Sequence, residues 1–123
     1  MKKSKAFTLV EVVIATTVTV VVVTSIFFLF TKSTILNIET KQKQIASRIG
    51  QSRIEELRNM SFADMTNASE NVTISDLPNG HRITRIQASY GADIKQAEVE
   101  VDWTGKQGPM SVILDTLIYN QED

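Results

Sequence analysis

Glu11 is the only charged residue between Phe7 and Phe30. An ionised acid in a segment apolar enough to enter a bilayer costs ~2.5–3.5 kcal/mol even on insertion scales, so such a residue normally has a partner and a purpose. No basic side chain lies within its reach on the same helix. Two chemistries fit. Glu11 lies only four residues into the segment, so its carboxylate can snorkel back to the near interface. Alternatively it pairs with a positive charge that processing creates.

The other reactive side chains point to less. His81 is the only histidine, follows Pro78-Asn79-Gly80 and has no second ligand at a metal-site spacing, so it reads as a surface loop residue. Glu98, Glu100 and Asp102 alternate along one segment, the pattern of a strand's solvated face rather than a Ca²⁺ site. Asn67-Ala68-Ser69 and Asn71-Val72-Thr73 match a short glycosylation pattern, to which no glycan is assigned. Arg48, Arg53, Glu55, Glu56 and Arg58 read as an exposed helix face. There are no cysteines, which excludes disulfides and thiol chemistry. Gly80, Gly91, Gly105 and Gly108 all fall at expected turns, so none builds a phosphate loop, and no nucleophile, base and orienting group stand together. The expectation is a protein with no enzyme activity, no metal and no cofactor.

The elements that position Glu11 follow from hydrophobic patterning. Residues 7–30 are long enough to cross a hydrocarbon core as a helix. Lys2, Lys3 and Lys5 precede them and Lys32 follows, which puts the N-terminus in the cytoplasm by the positive-inside rule. Without the three N-terminal lysines, the fourteen acidic residues clearly outnumber the bases, so nucleic acid is not an expected partner. The apolar run is too long for an ordinary secretory signal, and no small-x-small site follows it. Beyond it, Ile35, Ile38, Ile45, Ile49 and Leu57 keep to one stripe of a helix, and Glu39 with Lys43 adds an i,i+4 pair. A helix over 7–60 is therefore expected, a rod of roughly 80 Å if unbroken.

After a loop at Met65-Thr-Asn-Ala-Ser-Glu-Asn71, alternation becomes strand-like. The reading gives a strand at 71–75, a turn at Leu77-Pro-Asn-Gly-His81, and a strand at 81–90. A second turn then precedes 97–103, with Ala97, Val99, Val101 and Trp103 inward, and 110–119 forms the fourth strand, with Val112, Leu114 and Ile118 on one face. Four strands in a meander need a cover for their apolar face, and the Ile45, Ile49, Leu57 stripe is the only candidate. The expected class is α+β: a long N-terminal transmembrane and amphipathic helix packed on a small four-stranded antiparallel sheet.

Lys5-Ala-Phe-Thr-Leu-Val-Glu-Val-Val-Ile-Ala15 resembles the class III signal of type IV prepilins and type II secretion pseudopilins: a short basic leader, a small residue, then Phe-Thr-Leu-Val-Glu opening an apolar helix. The resemblance is specific over 2–30. It extends more loosely through Ile45–Met65, where the chain is similar to minor pilins of the pilus modification type and to the I-type minor pseudopilin. It implies a leader at 1–6, cleavage between Ala6 and Phe7 by a prepilin peptidase, and N-methylation of Phe7. Residues 7–30 would be the transmembrane and assembly half of the helix, 31–60 its amphipathic half and 61–123 a small β domain. Glu11 would meet the ammonium of an adjacent subunit's Phe7. The implied partners are other major and minor pilins or pseudopilins, and inner-membrane lipid before assembly. The implied location is the cytoplasmic (inner) membrane, then an extracytoplasmic filament. Ala6 stands where Gly is usual, a replacement the family tolerates; a C-terminal cysteine pair is missing, which argues against a typical major pilin of the IVa kind, and the midspan proline common in major pilins is absent too. The rival is an uncleaved, signal-anchored envelope scaffold whose juxtamembrane helix dimerises.

Overall fold

The computed structural model describes residues 6–88 and 91–121; Lys2, Lys3, Lys5 and the last two residues of the strand read at 81–90 lie outside them. The elements are α1 (Leu9–Arg58), a short 3₁₀ turn (Phe62–Asp64), β1 (Ala68–Ile74), β2 (Leu77–Ala88), β3 (Ile94–Gly105) and β4 (Gly108–Tyr119). The strands form one antiparallel meander in the order β1-β2-β3-β4. One long N-terminal apolar helix with a four-stranded antiparallel sheet is the pilin-like α+β arrangement expected from the sequence. The chain separates into two compact units, Met1–Asn37 and Ile38–Asp123.

In the first unit, α1 carries a stretch long and apolar enough to cross a membrane, and none of that stretch is buried. Its many valines and threonines lower helix propensity because β-branched side chains lose χ1 freedom. The hydroxyls nevertheless do not disturb the ladder. Thr16, Thr17, Thr19, Thr24 and Ser25 each donate to the carbonyl four residues earlier, at 2.6–2.8 Å. Each hydroxyl is thus satisfied without water, which an apolar medium demands. Lys32 lies with its Nζ 5.6 Å from the centroid of the Phe28 ring.

In the second unit, the rest of α1 covers the inner face of the sheet. Ala97, Val99, Val101 and Trp103 alternate inward along β3 and are buried. Trp103 clusters with Ala46, Leu77 and Val101, flanked by Ile45, Ile49, Met110 and Val112. Leu57 belongs to a second cluster with Met65, Ala97, Val99 and Ile118. Trp103 therefore packs in the group that includes Ile45 and Ile49, as its register implied, but Leu57 does not join it there. Small residues bring the helix close. A Cβ placed on Gly50 would come within 2.2 Å of Leu114 Cδ1. Gln42 is buried and ties three elements together. It accepts from Trp103 Nε1 at 3.2 Å and donates to the Asp76 carbonyl at 3.1 Å.

Several local expectations give way to the fold. The helix ends at Arg58 rather than Met60, and Met60 N–H closes on the Leu57 carbonyl in a tighter turn. Ala68–Glu70 are strand, not loop, because they pair with β2, and Asn67 Oδ1 accepts from the Ile86 N–H at 2.7 Å one residue before that pairing. The β1–β2 turn falls at Ser75-Asp76 rather than at Asn79-Gly80. Asn79 does adopt a positive φ of 53°, but inside β2. The pairing shifts register between Val72 and Ile74, so Val72 and Ile74 do not keep a common buried face and Ile74 is exposed. Arg53 and Arg58 are not simply solvated: Arg53 donates to Thr84 Oγ1 at 3.3 Å and to Glu56 at 2.7 Å, and Arg58 donates to Thr116 Oγ1.

Two predictions follow from this packing. Trp103→Ala should cost ~3–5 kcal/mol, the usual range for emptying a buried aromatic site, read as lost stability in denaturant titrations of the full chain. The second concerns Glu70, whose carboxyl is held below its ordinary pKa by the hydrogen bond and charge of Arg82, with Arg53 adding a lesser attraction. A carboxylate with a lowered folded pKa contributes stability above its unfolded pKa and loses it as pH falls through the folded value. Glu70→Gln should thus lower stability at neutral pH by no more than about 1 kcal/mol, since the pair is solvent-screened. The difference from wild type should shrink as pH drops below the ordinary carboxylate range, as melting curves across pH 3–7 would reveal.

Candidate functional site at the N-terminus of α1

Ala6 and Phe7 precede the helix, and both are exposed; Phe7 retains 83% of its surface. The peptide bond between them thus lies outside the hydrogen-bonded ladder. Helical bonding begins with the Val12 N–H donating to the Thr8 carbonyl at 3.2 Å. This leaves the first N–H groups without helical partners.

Thr8 and Glu11 satisfy part of that need reciprocally. The Thr8 N–H donates to Glu11 Oε2 at 2.9 Å, and Thr8 Oγ1 donates to the same oxygen at 3.2 Å. The Glu11 N–H in turn lies 3.2 Å from Thr8 Oγ1. This is a capping box, in which the N-cap hydroxyl and the acid three residues on exchange backbone bonds. The positive end of the helix dipole also favours a carboxylate in the first turn. Both bonds to the carboxylate use Oε2, leaving Oε1 without a hydrogen-bond donor among the described residues. A shallow apolar groove bordered by Phe7, Glu11, Val12, Ala15, Thr16 and Thr19 runs beside it.

The structure thus brings Glu11 to Thr8, a residue that the functional reading of the sequence passed over. The signal was present: Thr8-Leu-Val-Glu11 before an apolar run is the capping-box pattern. Within the single chain, Thr8 thus supplies local donors to one carboxylate oxygen of Glu11.

The remaining candidates lie elsewhere. His81 is on β2, not in a loop, and its Nε2 is 3.0 Å from Ser69 Oγ. Its Nδ1 lies 3.8 Å from Asp102 Oδ1, which accepts no hydrogen bond. That separation is longer than a hydrogen bond. Ser69, His81 and Asp102 form a row across an open sheet face, where backbone N–H groups are committed to strand pairing rather than aimed at a reacting oxygen. Glu98 and Glu100 both meet Arg85, at 2.5 and 2.9 Å. Their hydrogen bonds hold the Arg85 guanidinium above its ordinary pKa.

Residues 1–27 match the family model described as the prokaryotic N-terminal methylation motif. No curated protein and no solved structure matches the chain. The motif over these 27 residues, with the α+β fold, supports a type IV pilin- or pseudopilin-like protein carrying a class III prepilin signal. The motif implies processing by a prepilin peptidase and assembly with other pilins, and the apolar part of α1 is long enough to anchor the chain in a membrane.

The capping box carries its own prediction. Thr8→Val removes the hydroxyl while leaving Glu11 and the apolar character of the segment. Such cap losses cost ~0.5–2 kcal/mol of helix stability. In detergent micelles, backbone amide exchange at Leu9–Val12 should accelerate, with the exchange of β3 unchanged.

Proposed function

We propose that this chain is a minor pilin or minor pseudopilin, a structural subunit of a type IV pilus or type II secretion-like filament. A prepilin peptidase cuts between Ala6 and Phe7, and Phe7 is methylated on its new amine. Before assembly the protein sits in the cytoplasmic membrane as a single span with its N-terminus in the cytoplasm. Other pilins then take it into an extracytoplasmic filament through the apolar half of α1. The small sheet domain contributes surface rather than catalysis.

The observation that carries this reading is the methylation motif over 1–27, placed at the start of a continuous helix with Glu11 in its first turn. Glu11 there has two tasks. Oε2 caps its own helix through Thr8. Oε1 remains to receive the ammonium of an adjacent subunit's Phe7. Two opposite charges brought into an apolar filament core attract strongly, and deleting one strands the other at a cost of ~3–5 kcal/mol.

The test has two readouts. Mass spectrometry of the mature protein should find an N-terminal, methylated Phe7; an intact Met1 or Lys2 in that pool would favour an uncleaved signal anchor. Glu11→Val should leave insertion and cleavage intact while removing this protein from sheared filaments and from crosslinks to partner pilins. Wild-type recovery of the cleaved variant in those fractions would show that Glu11 serves its own helix and not subunit pairing.

A further inference from the structure

The two edges of the sheet are built differently. β1 is 7 residues long and its pairing shifts register between Val72 and Ile74, which blunts it as a template for another strand. β4 is 12 residues long and pairs regularly with β3 from Gly108 to Tyr119. Its outer side has no strand neighbour among the described residues. Antiparallel pairs alternate between those that exchange hydrogen bonds and those that do not. The Asn120 N–H donates to the Asp93 carbonyl, which sets the phase. By that alternation Ser111, Ile113, Asp115, Leu117 and Tyr119 turn their backbone groups toward the open edge. The same residues place their side chains on the outer face, where Ile113, Leu117 and Tyr119 are 56%, 42% and 59% exposed.

Charge indicates what would fit there. Asp115 lies directly across from Glu98, and like charges so placed repel. Arg85 already serves Glu98 and Glu100, and Asp115 makes no ion pair among the described residues. A second copy pairing through β4 would bring no cation, because β4 contains no Lys or Arg.

We propose that the β4 edge is a strand-addition site for an extended segment of a different protein chain, apolar at alternate positions and carrying Lys or Arg where it crosses Asp115. Main-chain bonds along Ser111–Tyr119 supply the affinity, and Ile113, Leu117 and Asp115 set the choice of segment. This surface is independent of the Phe7 and Glu11 chemistry.

The probe is a short synthetic peptide alternating Val and Thr with a central Lys, compared with its central-Glu counterpart. Each is titrated onto the full-length protein in detergent micelles while amide exchange is followed. The Lys peptide should slow exchange at Ser111–Tyr119 and bind roughly three- to tenfold more tightly than the Glu peptide, as expected for one cross-strand charge pair. Asp115→Lys, at an exposed position, should reverse that preference. Ile113→Pro deletes an edge N–H without removing a bond to β3 and should abolish binding. If that variant misfolds, as Trp103 fluorescence would reveal, the Asp115→Lys arm decides. No protection of β4, equal affinity for the two peptides, or protection that grows with protein concentration alone would each overturn the proposal.

Discussion

A four-stranded sheet with one apolar face must be covered, and here a single helix does the covering. A helix is about 10 Å across with its side chains, whereas four strands at ~4.8 Å spacing present a wider surface. The helix therefore seats over the middle of the sheet. Gly50 lets it approach closely enough to meet Leu114, and Ala46 is fully buried beside Trp103 and Val101. The margins are closed by longer polar side chains. Gln42 links Trp103 to the β1–β2 turn, and Arg53 reaches Thr84. Lys95 donates to the Phe62 carbonyl with its ammonium over the Phe62 ring. Such side chains cover apolar area with their stems while their heads find partners.

The same helix serves a second solvent with a different design. Its first part is apolar on every side, and exposes Val, Ile, Leu and Phe throughout. A helix apolar all round has no preferred face for its own domain and is stable only in lipid or among other apolar helices. Polar groups in that part are therefore bonded internally. The threonines bond back to the preceding turn, and Glu11 is held by Thr8. The cap and the prepilin motif thus use the same residues, since Phe-Thr-Leu-Val-Glu carries its own capping pair, Thr8 and Glu11.

Much of this was legible in the sequence. Residues 7–30 announce a span by length and by the near absence of charge, and the motif around Phe7 and Glu11 announces prepilin processing. The alternation of Ala97, Val99, Val101 and Trp103 against Glu98, Glu100 and Asp102 gave the buried face of β3 without ambiguity. These features depend on composition, period and neighbours close in sequence, and local physics suffices to read them.

What only the tertiary structure decided are the features whose partners are distant in sequence. Asn79-Gly80 carries a strong local turn signal, yet the turn moved to Ser75-Asp76, because pairing Val72 with Gly80 and Ile74 with Leu77 fixes the β1–β2 register. Ala68–Glu70 looked like loop until pairing with β2 drew them into a strand, with Asn67 accepting from Ile86 just ahead of it. His81 looked like a loop residue and proved to face Ser69 and Asp102 across two neighbouring strands. The open β4 edge could not be read either, since whether a strand has one neighbour or two is a property of the assembled sheet. A single sequence encodes period and propensity at each position, but cross-strand contacts are chosen by the summed burial and hydrogen bonding of the whole sheet, and that choice overrides a local preference worth about 1 kcal/mol.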